Sequence, residues 1–203
     1  MDEAARRSRR REAAREGLLS LLAGNERFAA GAPHSSMLPA DRAALVEGQT
    51  PKATVLGCVD SRVPPEVVFD QGVGDLLTIR TAGQSLSGVA MGSLEFGVHV
   101  LDTPLLVVLG HTGCGAVLAA ISEGHATGYL GELIGEIAER LIDIVGDKDP
   151  MTATGGNLEF TVEALRQFDL RSSEGDPVHV VGAMYDLATG KVTVHDDDGL
   201  LEP

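Results

Sequence analysis

The stretch ATVLGCVDSRVPPE (residues 53–66) sets Cys58, Asp60 and Arg62 at alternate positions, directly after a short apolar run. A run of this length, closed by prolines, reads as a strand buried on both faces. LLTIR (76–80) and PLLVVLGH (104–111) repeat the pattern. Between them lie two helical segments, PPEVVFD (64–70) and SGVAMGSLEFGVHVL (87–101). Alternation of this kind predicts an α/β fold, a mainly parallel β-sheet flanked by helices.

Further helices are expected at EAAREGLLSLLAGNERFAAG (12–31), where Leu18, Leu19, Leu22 and Phe28 fall close to helical spacing, and at PADRAALVEGQ (39–49). Downstream candidates are GAVLAAI (115–121), YLGELIGEIAERLIDIV (129–145) and NLEFTVEALRQF (157–168). The segment PVHVVGAMYDLATGKVTVHDDDG (177–199) reads as a strand, a turn at ATG and a second strand, with the acidic run near the end as a solvated tail. The expected organisation is a helical arm over residues 1–35 and one α/β domain over 36–203.

At 43% hydrophobic and 23% charged residues the composition is that of a globular chain. The net charge of −14 argues against nucleic acid as a partner. Residues 1–16 hold six Arg against four acids, and this interleaving predicts a solvated or subunit-crossing helix. No stretch approaches the ~20 apolar residues needed to span a bilayer, and the charged start has no signal-peptide core. A cytoplasmic protein with no membrane partner is expected.

The only two cysteines are Cys58 and Cys114. Cys58 and His111 each follow an apolar run and a glycine, and ligands in open parallel sheets gather beyond the carboxyl ends of strands. In GHTGCGAV (110–117), His111 and Cys114 are three apart, with glycines flanking the thiol. Two cysteines, a histidine and an aspartate make a plausible tetrahedral zinc set. Taken singly, each has another reading. Asp60 could cap the helix starting at Pro64 or Pro65, His111 could be structural, Cys58 an inert small hydrophobe, and the two thiols a disulfide. Arg62 is able to compete with a metal for the Asp60 carboxylate through bidentate hydrogen bonds. QGVGD (71–75) precedes an apolar run instead of following one, so it is no dinucleotide fingerprint.

With CVDSR (58–62) and HTGC (111–114) in place, the chain resembles the β-class carbonic anhydrases. The resemblance also runs through LLAGNERFAAG (21–31), FDQGVGDLLTIRTAG (69–83), GSLEFGVHVLDTPLLVVLGH (92–111) and VGAMYDLATGKV (181–192). It implies one Zn2+ per chain held by Cys58, His111 and Cys114, with Asp60 as exchangeable fourth ligand and Arg62 as its ion-pair partner. It implies reversible hydration of carbon dioxide to bicarbonate and a proton by a metal-activated hydroxide, in a homodimer or higher homo-oligomer whose N-terminal helices pack across the interface. Gln49 falls where the family places a substrate-contacting glutamine from across the dimer, and Leu77 and Ala82 would form an apolar pocket wall. Two departures stand out: TAGQ (81–84) replaces the NAGN common in the family, and Leu77 stands where an aromatic residue is common. Hydrolysis of carbon disulfide or carbonyl sulfide is the nearest alternative for such a site.

Overall fold

Four apolar runs line up as parallel strands: β1 (Ala53–Cys58), β2 (Leu76–Thr81), β3 (Leu105–His111) and β4 (His179–Tyr185). A fifth strand, β5 (Val192–Asp196), pairs antiparallel with β4, and the order across the sheet is β2-β1-β3-β4-β5. The computed structural model describes residues 2–34, 39–122, 126–143 and 149–202.

Every residue of β1 and β3 is buried, which is why these strands read as unbroken apolar runs and not as alternating ones. Side chains alternate between faces along a strand, so Leu105, Val107 and Leu109 enter one apolar core while Leu106 and Val108 enter another. The first core is roofed by α1 (Glu3–Ala29) and α3 (Pro65–Val68). The second is covered by α4 (Gly88–Glu95), its π-helical continuation Phe96–Val100, and α7 (Pro150–Gln167). The short α2 (Pro39–Ala44) precedes β1. A third, smaller cluster joins Cys58 and Cys114 to α5 (Gly115–Ile121) and α6 (Gly128–Leu141) through Val117, Ile137 and Leu141.

The Arg-rich helix α1 lies along its own chain's sheet. Ala14, Gly17, Leu18, Leu21, Gly24 and Asn25 form its buried face, whereas Leu19 is 40% exposed. Its arginines find partners on this chain: Arg6 pairs with Asp176, Arg10 with Asp102 at 2.6 Å, and Arg11 donates to the Gly199 carbonyl. Asn25 acts as a buried bolt. Its Nδ2 donates to the carbonyls of Val68 (3.1 Å) and Gly190 (2.9 Å), and its Oδ1 accepts from the Val192 amide (2.7 Å).

The acidic run at the end is not a solvated tail. Arg166 of α7 engages both carboxylate oxygens of Asp196 at 2.7 Å, and Asp198 accepts from His179 Nδ1 at 2.9 Å. Asp197 accepts the amides of Gly199 (3.0 Å) and Leu201 (2.9 Å), closing a turn that buries Leu200 completely. The acids here hold the last turn onto the sheet.

Gly24 sets the depth at which α1 docks, since a Cβ there would lie 1.8 Å from the Phe69 carbonyl oxygen. Gly24→Ala is expected to lower stability by at least the ~1–3 kcal/mol of an overpacked core. Gly135→Ala in α6, where a Cβ meets nothing within 4 Å, should raise stability by about 0.5–1 kcal/mol. Urea denaturation of both variants checks this, and equal effects would remove the docking constraint.

Candidate metal centre

Parallel pairing matches Thr54 with Leu106, Val55 with Val107 and Leu56 with Val108, so β1 and β3 end side by side. Cys58 closes β1 and His111 closes β3. The chain then turns through Gly113, whose φ of +65° is the left-handed conformation that glycine tolerates. Cys114 follows as the N-cap of α5. One ligand atom from each of Cys58, His111 and Cys114 lies within 4.8 Å of the others, and all three residues are buried.

The donor chemistry of the group suits a metal ion. His111 Nδ1 lies 3.0 Å from the Thr112 carbonyl oxygen. A carbonyl only accepts, so Nδ1 carries the proton and Nε2 presents its lone pair. Nε2 is buried and has no hydrogen-bond partner, an arrangement that costs about 1–3 kcal/mol unless something takes up the lone pair. The two sulfurs are 3.9 Å apart, near the ~3.8 Å expected for two thiolates bound at about 2.3 Å to one tetrahedral ion.

Electrostatics favour ionisation of one sulfur ahead of the other. Cys58 is pushed well below the usual thiol range, first by its hydrogen bond with Cys114 and then by His111 and the amides of Gly83 and Asp60. Cys114 is pushed up, because it shares its proton with Cys58 and is buried, although the amides of Val117 and Ala116 oppose the rise. These amides belong to the first turn of α5, whose N-terminal end favours negative charge. Burial pulls the His111 pKa down, but the Cys58 sulfur, the Thr112 carbonyl and Asp60 outweigh it and the net shift is upward.

Asp60 does not cap α3. The N-cap there is Pro64, with no side-chain hydrogen bond. Arg62 instead holds the carboxylate, with Nε on Oδ1 at 2.9 Å, Nη2 on Oδ2 at 2.7 Å and its own amide on Oδ1 at 3.0 Å. These bonds keep the Asp60 carboxyl far below the usual carboxylate range. Oδ2 is 4.0 Å from His111 Nε2, so the carboxylate borders the space enclosed by the Cys–His–Cys group.

The other expected site residues lie elsewhere. Gln49 is exposed in the stretch leading into β1, at the opposite end of that strand from Cys58. Leu77 pairs with Thr54, four residues before Cys58, and lines an open groove on the β2 edge with Ile79, Val89 and Phe96. Ala82 is closer, directly after Thr81, the β2 partner of Cys58.

Two supporting groups escaped the sequence reading. Arg80 of β2 donates from Nε to the Cys58 carbonyl at 2.7 Å and from Nη2 to the Asp60 carbonyl at 2.6 Å. Its signal was a lone cation at the end of an apolar strand. Asn157 of α7 donates to the carbonyl of Gly83 at 2.9 Å, and Gln84 Nε2 donates to that of Leu109 at 3.1 Å. Together they steady the turn whose Gly83 amide reaches Cys58.

Two buried thiols and an imidazole at the carboxyl edge of a parallel sheet, with a carboxylate held in reserve, define a metalloenzyme-type centre. Residues 53–192 match the family model described as carbonic anhydrase. Carbonic anhydrase 2 of Mycobacterium tuberculosis is 39% identical over 192 residues, covering 89% of this chain and 92% of its own length. Among solved structures, the beta-carbonic anhydrase of Coccomyxa is similar, at 27% identity and a TM-score of 0.63 over 75% of each chain. A tetrameric beta-carbonic anhydrase of Sordaria macrospora shares the fold, at 21% identity and a TM-score of 0.62 over 77% of this chain and 86% of its own. The chain belongs to the β-carbonic anhydrase family, enzymes that reversibly hydrate carbon dioxide.

Substituting His111 by Ala or Cys114 by Ser is expected to weaken metal binding by more than the ~10–100-fold that loss of an outer partner costs. Asp60→Asn should retain one metal per chain. Metal analysis after gel filtration checks both, and a full equivalent on His111→Ala would remove His111 from the ligand set.

Proposed function

We propose that the metal is zinc, one per chain, held by Cys58, His111 and Cys114, and that Asp60 is its exchangeable fourth ligand. The bare Nε2 of His111 facing two sulfurs carries this reading. When bound, zinc would supply Lewis acidity that brings the pKa of a water into the range of neutral chemistry. Two thiolates offset the 2+ charge, so the protein must contribute further help. Asp60 gives it. Held by Arg62, its Oδ2 stays ionised and is placed to accept a hydrogen bond from the attacking water, turning a lone pair towards carbon dioxide. Released by Arg62, the same carboxylate would occupy the place the water needs. Arg62 therefore decides which of the two roles Asp60 performs.

The substrate pocket is proposed to be completed by a second copy of the chain. Gln49 and Leu77 lie away from their own chain's centre, so their expected roles fit best across an interface, with Ala82 as a wall from the chain that holds the metal. β2 is an edge strand with an open flank. Beside it Val89 is 83% exposed and Phe96 46% exposed, a surface suited to burial in a homodimer or larger assembly. The tetrameric beta-carbonic anhydrases of Sordaria macrospora support an oligomer. Residues 1–35 are proposed as a helical arm that serves this assembly, and 36–203 as the catalytic domain. A cytoplasmic location is proposed; no described helix is long and apolar enough to cross a membrane.

Stopped-flow hydration of carbon dioxide by the zinc-loaded chain should rise from pH 6.5 to 9, because the attacking water must lose its proton before it adds to carbon. A flat profile counts against this. Arg62→Ala should keep its zinc and lose about 100–1,000-fold in turnover, in line with removal of a preorganised charge-stabilising contact. Unchanged turnover would take Arg62 out of the mechanism.

A further inference from the structure

We propose that Arg80 is a positioning residue for the reaction: its guanidinium clasps the backbone on both sides of Val59 and so aims the Asp60 carboxylate. The inference rests on the function proposed above and adds a residue to its machinery. Hydrogen-bonded pairing of β1 with β3 ends at Leu56, so the segment that carries Cys58 and Asp60 has left the support of the central strand. What holds it comes from β2. The Val59 amide donates to the Thr81 carbonyl at 3.2 Å. Arg80, opposite Gly57 in the register, reaches forward with two donors in a rigid fork. Nε takes the carbonyl of Cys58 at 2.7 Å and Nη2 takes that of Asp60 at 2.6 Å.

Two carbonyls two residues apart, held by one planar group, fix the Cys58–Val59 and Asp60–Ser61 peptide planes, the second of which adjoins the Asp60 Cα. The direction of the Asp60 side chain follows from those planes. Arg62 grips the carboxylate from the far side, but it is itself 58% exposed on a turn and reaches the Gly113 carbonyl only at a long 3.5 Å, so the pair lacks a firm anchor of its own. Arg80 is half-buried and set on a strand, and it supplies that anchor. A lysine could keep the charge and bond one carbonyl, but it could not reproduce the fork.

The test uses the full chain loaded with Zn2+ for kinetics and with Co2+ for visible spectroscopy. Arg80→Lys and Arg80→Gln are each made alone and in an Asp60→Asn background. Alone, each should bind one metal per chain, show shifted cobalt bands, and lose about 10–100-fold in kcat with KM within about twofold. In the Asp60→Asn background, the same changes should have no further effect on spectrum or kcat, because Arg80 acts through Asp60. Equal losses in both backgrounds would overturn the proposal, as would wild-type spectra and kcat in Arg80→Gln. Loss of metal or of fold in both variants would also overturn it, by making Arg80 a support of Cys58 or of the sheet. Should the wild-type chain bind metal yet hydrate no carbon dioxide, the functional reading falls, and the cobalt spectra with and without Asp60→Asn still decide the role of Arg80.

Discussion

The parallel pairing of β1 with β3 is the constraint on which the site depends. Antiparallel neighbours would send the two strand ends to opposite edges of the sheet. Parallel ones deliver Cys58 and His111 to the same edge, and the turn through Gly113 brings Cys114 back at the head of α5. The cost of a parallel sheet is that both faces need cover. α1 and α3 provide it on one side, α4 and α7 on the other. A shift of one residue in this pairing would reverse the faces of every side chain on the strand, so the cores that fix the register also fix the ligand group.

Around that group, fixed backbone dipoles face the sulfurs while an exposed side chain faces the carboxylate. The sulfurs face backbone amides of Gly83, Asp60, Ala116 and Val117, dipoles that neither titrate nor dissociate. Asp60 faces a side chain with more freedom. Its guanidinium partner is largely exposed, and solvent-screened ion pairs of that kind contribute little to stability. The contrast suits the proposed exchange: the proposed permanent ligands are held by buried, oriented peptides, while the carboxylate proposed to change partners is held by a contact that is easily broken.

The strands, the antiparallel β4–β5 hairpin and the Cys–His–Cys group were legible because each leaves a local mark: unbroken apolar runs, a turn at ATG, and ligand residues at strand ends. What escaped the sequence depends on contacts between distant segments. The arginines of α1 looked solvated because nothing local reveals that Arg6 meets Asp176 or that Arg10 meets Asp102. The acidic run 196–198 looked like a tail because Arg166 is thirty residues from Asp196. Helical spacing marked Leu18 and Leu22 but also Leu19, which faces outward, and missed Asn25, whose buried hydrogen bonds join α1 to α3 and β5. Asn157 was invisible for the same reason, and Arg80 showed only as a lone cation closing an apolar strand: both act on backbone carbonyls, which carry no sequence signature.

The departure TAGQ illustrates how such a substitution is absorbed. Gln84 occupies left-handed backbone, with φ at +55°, where a side chain is normally disfavoured. It is buried, and its amide is used at both ends: Nε2 donates to the Leu109 carbonyl and Oε1 accepts from Asn157 at 3.3 Å. Asn157 in turn holds the Gly83 carbonyl, one peptide from the amide that faces Cys58. The strain at Gln84 is thus opposed by a polar network whose other end is the metal centre's own turn. A longer amide at this position reaches across to β3, so the departure from the family pattern links the β2 turn to the strand that carries His111.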